Sequence, residues 1–255
     1  MIFDFADLSR RDRHKLMIST VVPRPIAWIS TLNEDGSVNV GPYSFFNIVC
    51  EQPPLISVGV GSGERGEDDL KDTGRNIRRT GEFVVNLVGF EQAPQMVITA
   101  VNFAPGISEI DKAGLTLAPS SKLSTPRIAE SPASLECRLH KTVDLADGQV
   151  LVLGEVVTLH IRDAAVLDAS RCYVDTPKLD LVARMHGNGW YTRMTDWFQL
   201  PTPAIEQEEP CHGHQKAFRC PARKSLINQS PNNGASPRTG RHLQSNRPML
   251  SIGGC

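Results

Sequence analysis

The stretch Ile26-Ala27-Trp28-Ile29-Ser30-Thr31, the turn Asn33-Glu34-Asp35-Gly36 and the return Val38-Asn39-Val40 spell a β-hairpin. It is the first of a series. Leu55-Ile56-Ser57-Val58-Gly59-Val60 and Glu82-Phe83-Val84-Val85-Asn86-Leu87-Val88 read as further strands. Ser134-Leu135-Glu136-Cys137-Arg138-Leu139-His140 alternates, and Asp147-Gly148 turns the chain into a long apolar run from Val150 to Ile161. At least six strands thus follow one another through turns, with few helices between them. A doubly wound parallel sheet needs a crossover helix after nearly every strand and is excluded. An antiparallel barrel fits, because closure removes its exposed edges.

Residues 10–17, after Asp7-Leu8-Ser9, form an expected short helix, and 91–101 a second, with Ala93, Met96 and Val97 on one apolar stripe. Pro23 and Pro25 deny a helical interior to the segment before the first strand. Residues 61–69 read as a mobile, glycine-rich charged loop, and 182–195 as a lid or a final edge.

A net charge of -1 gives no argument for a nucleic-acid partner. No apolar run approaches the roughly 20 residues that span a bilayer, and the first residues lack a secretory pattern. Six scattered cysteines fit reduced thiols, so a cytoplasmic address is expected. The chain divides into a domain at 1–205 and a tail at 206–255. The tail holds 5 Pro, 5 Gly, 5 Ser and 4 Asn with the single aromatic Phe218, and is expected to be low-complexity, disordered or loosely docked.

The chemistry concentrates in Lys71-Asp72-Thr73-Gly74-Arg75-Asn76-Ile77-Arg78-Arg79-Thr80-Gly81. Asp72 or Thr73 is suited to cap a helix start and Gly81 to end it. The free amides of the first turn, with Lys71 beside them, make an anion site. Ser44-Phe45-Phe46-Asn47 offers extended backbone and a donor–acceptor side chain to a planar heterocycle, although core filling and a turn are competing roles. Ser30 and Thr31 add hydroxyls at a strand end. Gly59-Val60-Gly61-Ser62-Gly63 precedes a charged loop instead of a helix and is not a dinucleotide fingerprint. No Gly-x-Ser-x-Gly elbow is present. Cys211, His212, His214 and Cys220 match zinc by residue type but not by spacing, so no metal is expected.

Taken together, Arg24-Pro25-Ile26-Ala27-Trp28-Ile29-Ser30-Thr31, Pro42-Tyr43-Ser44-Phe45-Phe46-Asn47, Lys71-Asp72-Thr73-Gly74-Arg75-Asn76-Ile77 and Gly81-Glu82-Phe83-Val84-Val85-Asn86 resemble the flavin reductase-like proteins of the FMN-binding split-barrel superfamily. Ala113-Gly114-Leu115, Leu135-Glu136-Cys137 and Gly154-Glu155-Val156 agree with this, so the resemblance covers roughly residues 15–200. It implies a mainly β fold with a few helices, a six-stranded antiparallel split β-barrel that forms a homodimer with one FMN near each end of the interface. By the same resemblance Ser30 and Thr31 face the phosphate, Ser44, Phe45, Phe46 and Asn47 line the ring, and Lys71, Asp72, Thr73 and Asn76 serve phosphate or ribityl. Gly74 departs from the larger apolar residue expected after that threonine. His186, in a glycine-flanked loop beside Trp190 and Tyr191, is a further candidate for cofactor contact, with a surface role as its competitor.

The implied activity is hydride transfer from NADH or NADPH to flavin, and onward to free flavin, oxygen, an iron complex or another small-molecule electron acceptor. The flavin performs the redox step, so no catalytic acid or nucleophile is nominated. An FMN-binding electron carrier reduced by a protein partner, and a non-enzymatic dimeric sensor or structural protein, are compatible with the same barrel.

Overall fold

The computed structural model describes residues 1–62, 70–101, 103, 108–145 and 148–202. The tail at 206–255, with its cysteines and histidines, and most of the loop at 61–69 lie outside the described residues. All elements below belong to the unit Met1–Leu200.

Seven antiparallel strands form one sheet: β1 (Ala27–Leu32), β2 (Val38–Tyr43), β3 (Phe46–Glu51), β4 (Pro54–Val60), β5 (Glu82–Leu87), β6 (Ala133–Asp144) and β7 (Val150–Ile161). Their spatial order is β2-β1-β5-β6-β7-β4-β3. The chain-consecutive strands β2 and β3 therefore stand at opposite edges, joined only through Ser44 and Phe45. This is the split of a split barrel. The strand beyond the six expected is β3. The sequence suggests a mere extension of the return strand here, whereas the chain changes partner after Tyr43 and pairs Phe46 with Val58.

Alternation along β1 divides the core in two. Ala27 and Ile29 point into the barrel with Ile56, Val58, Phe83, Val85 and Val152. Trp28 points outward into a second cluster with Val40, Met96, Ile110, Leu115 and Ile128. Among the described residues the unit also holds the helices α1 (Arg10–Thr20), α2 (Asp72–Thr80), α3 (Ala93–Ile98) and α4 (Glu109–Ala113), several 3-10 turns and three small sheets of two or three short strands. Met96 of α3 and Ile110 and Ala113 of α4 cover Trp28, which is why a strand of an antiparallel sheet is buried on both faces here. The Trp28 indole N–H donates to Thr99 Oγ1 at 2.8 Å, so the ring enters the core without an unmet donor. The helix expected over 91–101 is shorter: a 3-10 turn at Phe90–Gln92 runs into α3, which has Pro94 in its first turn.

Two polar groups inside this frame are structural. Asn86 donates to the Trp28 carbonyl at 3.0 Å and to Ser30 Oγ at 3.3 Å, and accepts from the Ile128 amide and Ser134 Oγ, both at 2.9 Å. Glu136, fully buried on β6, accepts from the Ser121 amide at 2.6 Å and the Lys122 amide at 2.8 Å, and meets His160 Nε2 at 2.5 Å. It fastens the loop before β6 to the barrel wall.

Gly154 on β7 gives way to Phe83. A Cβ at Gly154 would lie 2.4 Å from Phe83 Cζ and 3.4 Å from Cys137 Cβ, and the Phe83 ring is fully enclosed. Overpacking at such a site costs about 1–3 kcal/mol. Gly154→Ala is accordingly expected to lower the denaturant midpoint without changing the slope of the transition. An unchanged midpoint would show that the ring has room to move.

Candidate functional site

The site is built where α2 meets β1 and β2. Gly81 ends α2 in the left-handed conformation (φ 71°), as expected, with its N–H on the Ile77 carbonyl at 2.9 Å. The helix start differs from expectation. Lys71 occupies the N-cap position, and its side chain makes no capping hydrogen bond. Asp72 pairs instead with Arg75, one turn along its own helix. The Lys71 side chain thus leaves the amides of Asp72 and Thr73 unengaged, that of Gly74 is bonded to the Lys71 carbonyl at 2.9 Å, and the exposed Lys71 stands beside them.

Behind this helix mouth lies a buried network of hydroxyls and amides. Thr31 on β1 pairs directly with Asn39 on β2, so both side chains share one face of the sheet. Asn39 Nδ2 donates to Thr73 Oγ1 at 2.9 Å and to Thr31 Oγ1 at 3.3 Å. Asn76 Nδ2 donates to Thr31 Oγ1 at 3.1 Å and to Asn33 Oδ1 at 2.7 Å. Tyr43, two positions beyond Gly41 on the same face, sets its hydroxyl beside that of Thr73 next to Gly41. Burial pushes its phenol up to about 12, with the Thr73 bond opposing and the Asp72 charge adding, so Tyr43 is a neutral phenol at physiological pH. Glu109, at the first turn of α4, has its carboxyl pushed up, chiefly by burial and further by the charge of Asp72.

Thr31, Thr73 and Asn76 are therefore brought together, with Lys71 and Asp72 at the rim. Thr31 is fully enclosed and sits behind Thr73. Ser30, its chain neighbour, faces the other way: its hydroxyl donates to the Pro126 carbonyl at 2.7 Å in the network around Asn86. Gly74 is packed against Val60 and Leu70, where a Cβ would already be in contact at 3.5–3.6 Å.

The second part of the site follows at the split. Phe46 packs into the barrel core. The Phe45 ring is about half exposed and meets His14 of α1 at a centroid distance of 6.3 Å. Its carbonyl accepts from the Gly59 amide at 2.7 Å, so this backbone oxygen is already in use. Asn47 turns its side-chain oxygen onto the Ile48 amide at 2.8 Å. Buried Arg24 organises the surroundings. It donates to the carbonyls of Ile18 at 2.8 Å, Val21 at 2.7 Å and Met185 at 2.5 Å, and its Nε lies 3.5 Å from Ser44 Oγ. One guanidinium thus ties the end of α1, Ser44 and the loop that carries His186. His186 stacks on Trp190 at 5.5 Å between ring centroids, and the Met185 amide bonded to the Trp190 carbonyl closes that loop.

Asn33, Asn39, Tyr43 and Arg24 are members that sequence reasoning passed over. The alternation of β2 carries the missing signal, since Asn39, Gly41 and Tyr43 share the face opposite Val38 and Val40. Among the described residues no group of three or more His, Cys, Asp or Glu is placed to hold a metal. No helix among them is long and apolar enough to cross a membrane.

The antiparallel split barrel, with its hydroxyl–amide network at a helix mouth, places the chain in a class of fold. Residues 18–176 match the model of the flavin reductase like domain, and the chain belongs to that family. An uncharacterized protein of Deinococcus radiodurans is 42% identical over 202 residues, 78% of this chain and 88% of its own. Among solved structures, 2-nitrobenzoate 2-nitroreductase NbaA of Pseudomonas fluorescens is 32% identical with a TM-score of 0.73, covering 84% of this chain and 100% of its own. Nitrilotriacetate monooxygenase component B of Bacillus cereus is 30% identical with a TM-score of 0.73, covering 78% and 98%.

Proposed function

We propose that this protein is an FMN-dependent oxidoreductase that takes a hydride from NADH or NADPH and passes electrons to a small acceptor. The observation that carries the reading is the start of α2, where Lys71 stands at the N-cap without a capping bond from its side chain, backed by the buried Thr73–Asn39–Thr31–Asn76 network. The fit with a flavin phosphate rests on this chain's own features. Gly41 lacks the Cβ that would stand 3.6 Å from Tyr43 Oη and 3.9 Å from Thr73 Oγ1, so bare backbone faces these hydroxyls. A phosphate there meets first-turn amides, a hydroxyl and an ammonium, a donor set suited to an anion.

When bound, the flavin supplies the hydride and electron chemistry. The chain's contribution is to hold and shield. Lys71, Thr73 and the α2 amides bind the phosphate, while Asp72, paired with Arg75, organises the rim without facing the anion. Asn76 braces Thr31 and the turn at Asn33. Ser44, Phe45 and Asn47 flank the ring, with Phe46 anchoring the segment from the core side. Arg24 sets Ser44 and the His186 loop in one frame, and the His186–Trp190 stack offers an aromatic surface at that end.

Free flavin, oxygen, an iron complex or a small organic molecule is the acceptor class. The names of the two similar solved proteins, a nitroreductase and a monooxygenase component, support a redox role with small-molecule or partner-enzyme acceptors. A homodimer is supported by edge strand β3, which leaves Ile48 at 75% and Val49 at 51% exposure beside Phe45.

The test is the visible spectrum of the purified protein, followed by anaerobic addition of NADH and NADPH separately. A flavin band that bleaches with either donor is expected, and the faster donor gives the preference. A bound flavin indifferent to both would replace the reductase with an electron carrier. No flavin after reconstitution with FMN would remove the proposed chemistry.

A further inference from the structure

We propose that Asn39 is a positioning residue for phosphate recognition: it fixes the rotamer of Thr73 so that the threonine hydroxyl hydrogen is offered to the phosphate of the flavin nucleotide. The inference rests on the FMN reading above and names a residue to which neither the sequence pattern nor the family likeness gives a role.

The hydrogens of this network can be followed one by one. A primary amide has two N–H hydrogens. Those of Asn39 serve Thr73 Oγ1 at 2.9 Å and Thr31 Oγ1 at 3.3 Å. Those of Asn76 serve Thr31 Oγ1 at 3.1 Å and Asn33 Oδ1 at 2.7 Å. Thr31 Oγ1 thereby receives two donors, filling its acceptor capacity, and it is fully enclosed. It is the fixed point against which Asn39 is held. Thr73 Oγ1 accepts from Asn39 on one side, so its single hydrogen leaves in another direction. The Tyr43 hydroxyl and the space left by Gly41 lie beside Thr73 Oγ1, and a bound phosphate would take that hydrogen in place of Tyr43. A threonine free to rotate would spend part of its time with the methyl group at the helix mouth and would lose rotamer entropy on binding. Asn39 removes that cost in advance.

The centre of the network is buried: Asn39 is 8%, Thr73 2% and Asn76 7% exposed, with Asn33 and Tyr43 half-buried at its margin. Hydrogen bonds in such surroundings orient their partners firmly, and a broken one leaves an unmet polar atom. A purely structural amide would support the barrel equally with or without a phosphate on the ligand. A positioning amide acts on the phosphate alone.

Riboflavin, which has the same ring and ribityl chain but no phosphate, separates the two roles. Flavin-fluorescence titrations of FMN and riboflavin would be run on the full chain, on Asn39→Ala and on Asn39→Asp. Wild type is expected to prefer FMN. Asn39→Ala is expected to lose about tenfold in FMN affinity, the worth of one well-made hydrogen bond, with riboflavin binding held within about twofold. Asn39→Asp keeps the shape but turns the donor into an acceptor, so it draws the threonine hydrogens inward and loses more FMN affinity than Asn39→Ala. Should Asn39→Ala not fold, this isosteric variant carries the test. In a Thr73→Val background, adding Asn39→Ala should cost nothing further, because the hydroxyl it positions is gone.

Equal loss of FMN and riboflavin in the Asn39 variants, or additive effects with Thr73→Val, would overturn the positioning role and leave the FMN site standing. A wild-type protein that does not distinguish FMN from riboflavin would instead overturn the phosphate reading itself.

Discussion

Replacing Lys71 and Thr73 together by alanine is expected to weaken FMN binding by on the order of a hundredfold or more while the barrel stays folded. Each hydrogen bond to a charged group is worth about 1.5–3 kcal/mol, and about 1.4 kcal/mol is a factor of ten. Lys71 is exposed at the N-cap, so its loss affects the ligand far more than the fold. Thr73 is buried and holds Asn39, so a stability decrease of about 1–3 kcal/mol accompanies its loss. Isothermal titration with FMN, alongside a thermal melt, separates the two effects. Undiminished affinity in a folded double variant would sink the phosphate assignment.

Removing the Glu136 carboxylate is expected to destabilise the barrel by about 1–3 kcal/mol. Glu136→Ala strands two backbone amides, those of Ser121 and Lys122, and releases His160 from its partner. Unmet buried donors cost about 1–3 kcal/mol each, and less here because Ser121 and Lys122 are exposed residues whose amides water can reach. The pH dependence gives a second signature. Burial pushes the Glu136 carboxyl up, but its bonds to His160 and to the Ser121 and Lys122 amides outweigh this and leave it below the ordinary carboxylate value. A depressed folded value means the unfolded chain takes up the proton first as pH falls. The stabilisation is therefore complete above the unfolded carboxylate value and is lost as pH drops through the folded one. Glu136→Gln should retain part of the stability and flatten its acid dependence. Parallel acid limbs for wild type and Glu136→Gln in urea titrations would assign that dependence to other carboxyls.

Strand alternation explains what the sequence made legible and what it hid. The hairpin of β1 and β2, the strands β4 to β7 and the glycine end of α2 are local features, carried by turn residues and by branched side chains at period two. The same period separates Ser30 from Thr31. Neighbours on a strand face opposite sides, so Thr31 joins the network behind Thr73 while Ser30 joins Asn86 in the outer core. Asn39 and Tyr43 were readable in principle, as a polar and an aromatic residue on the inward face of β2. Their importance depends on α2 packing over that face, a contact between residues more than 30 positions apart. The N-cap likewise turns on geometry: Asp72 has the chemistry of a cap, but it lies one position inside the helix and pairs forward with Arg75.

The strand order has a consequence for the order of events during synthesis. Val60 at the end of β4 pairs with Val150 at the start of β7, about 90 residues later. At translation rates of about 5–20 residues per second, β4 waits for its central partner for roughly 5–20 s. Over that interval the hairpin of β3 and β4 has one edge with no partner strand, together with the apolar side chains of Ile56 and Val58. The nascent chain therefore carries its aggregation-prone surface early and covers it late.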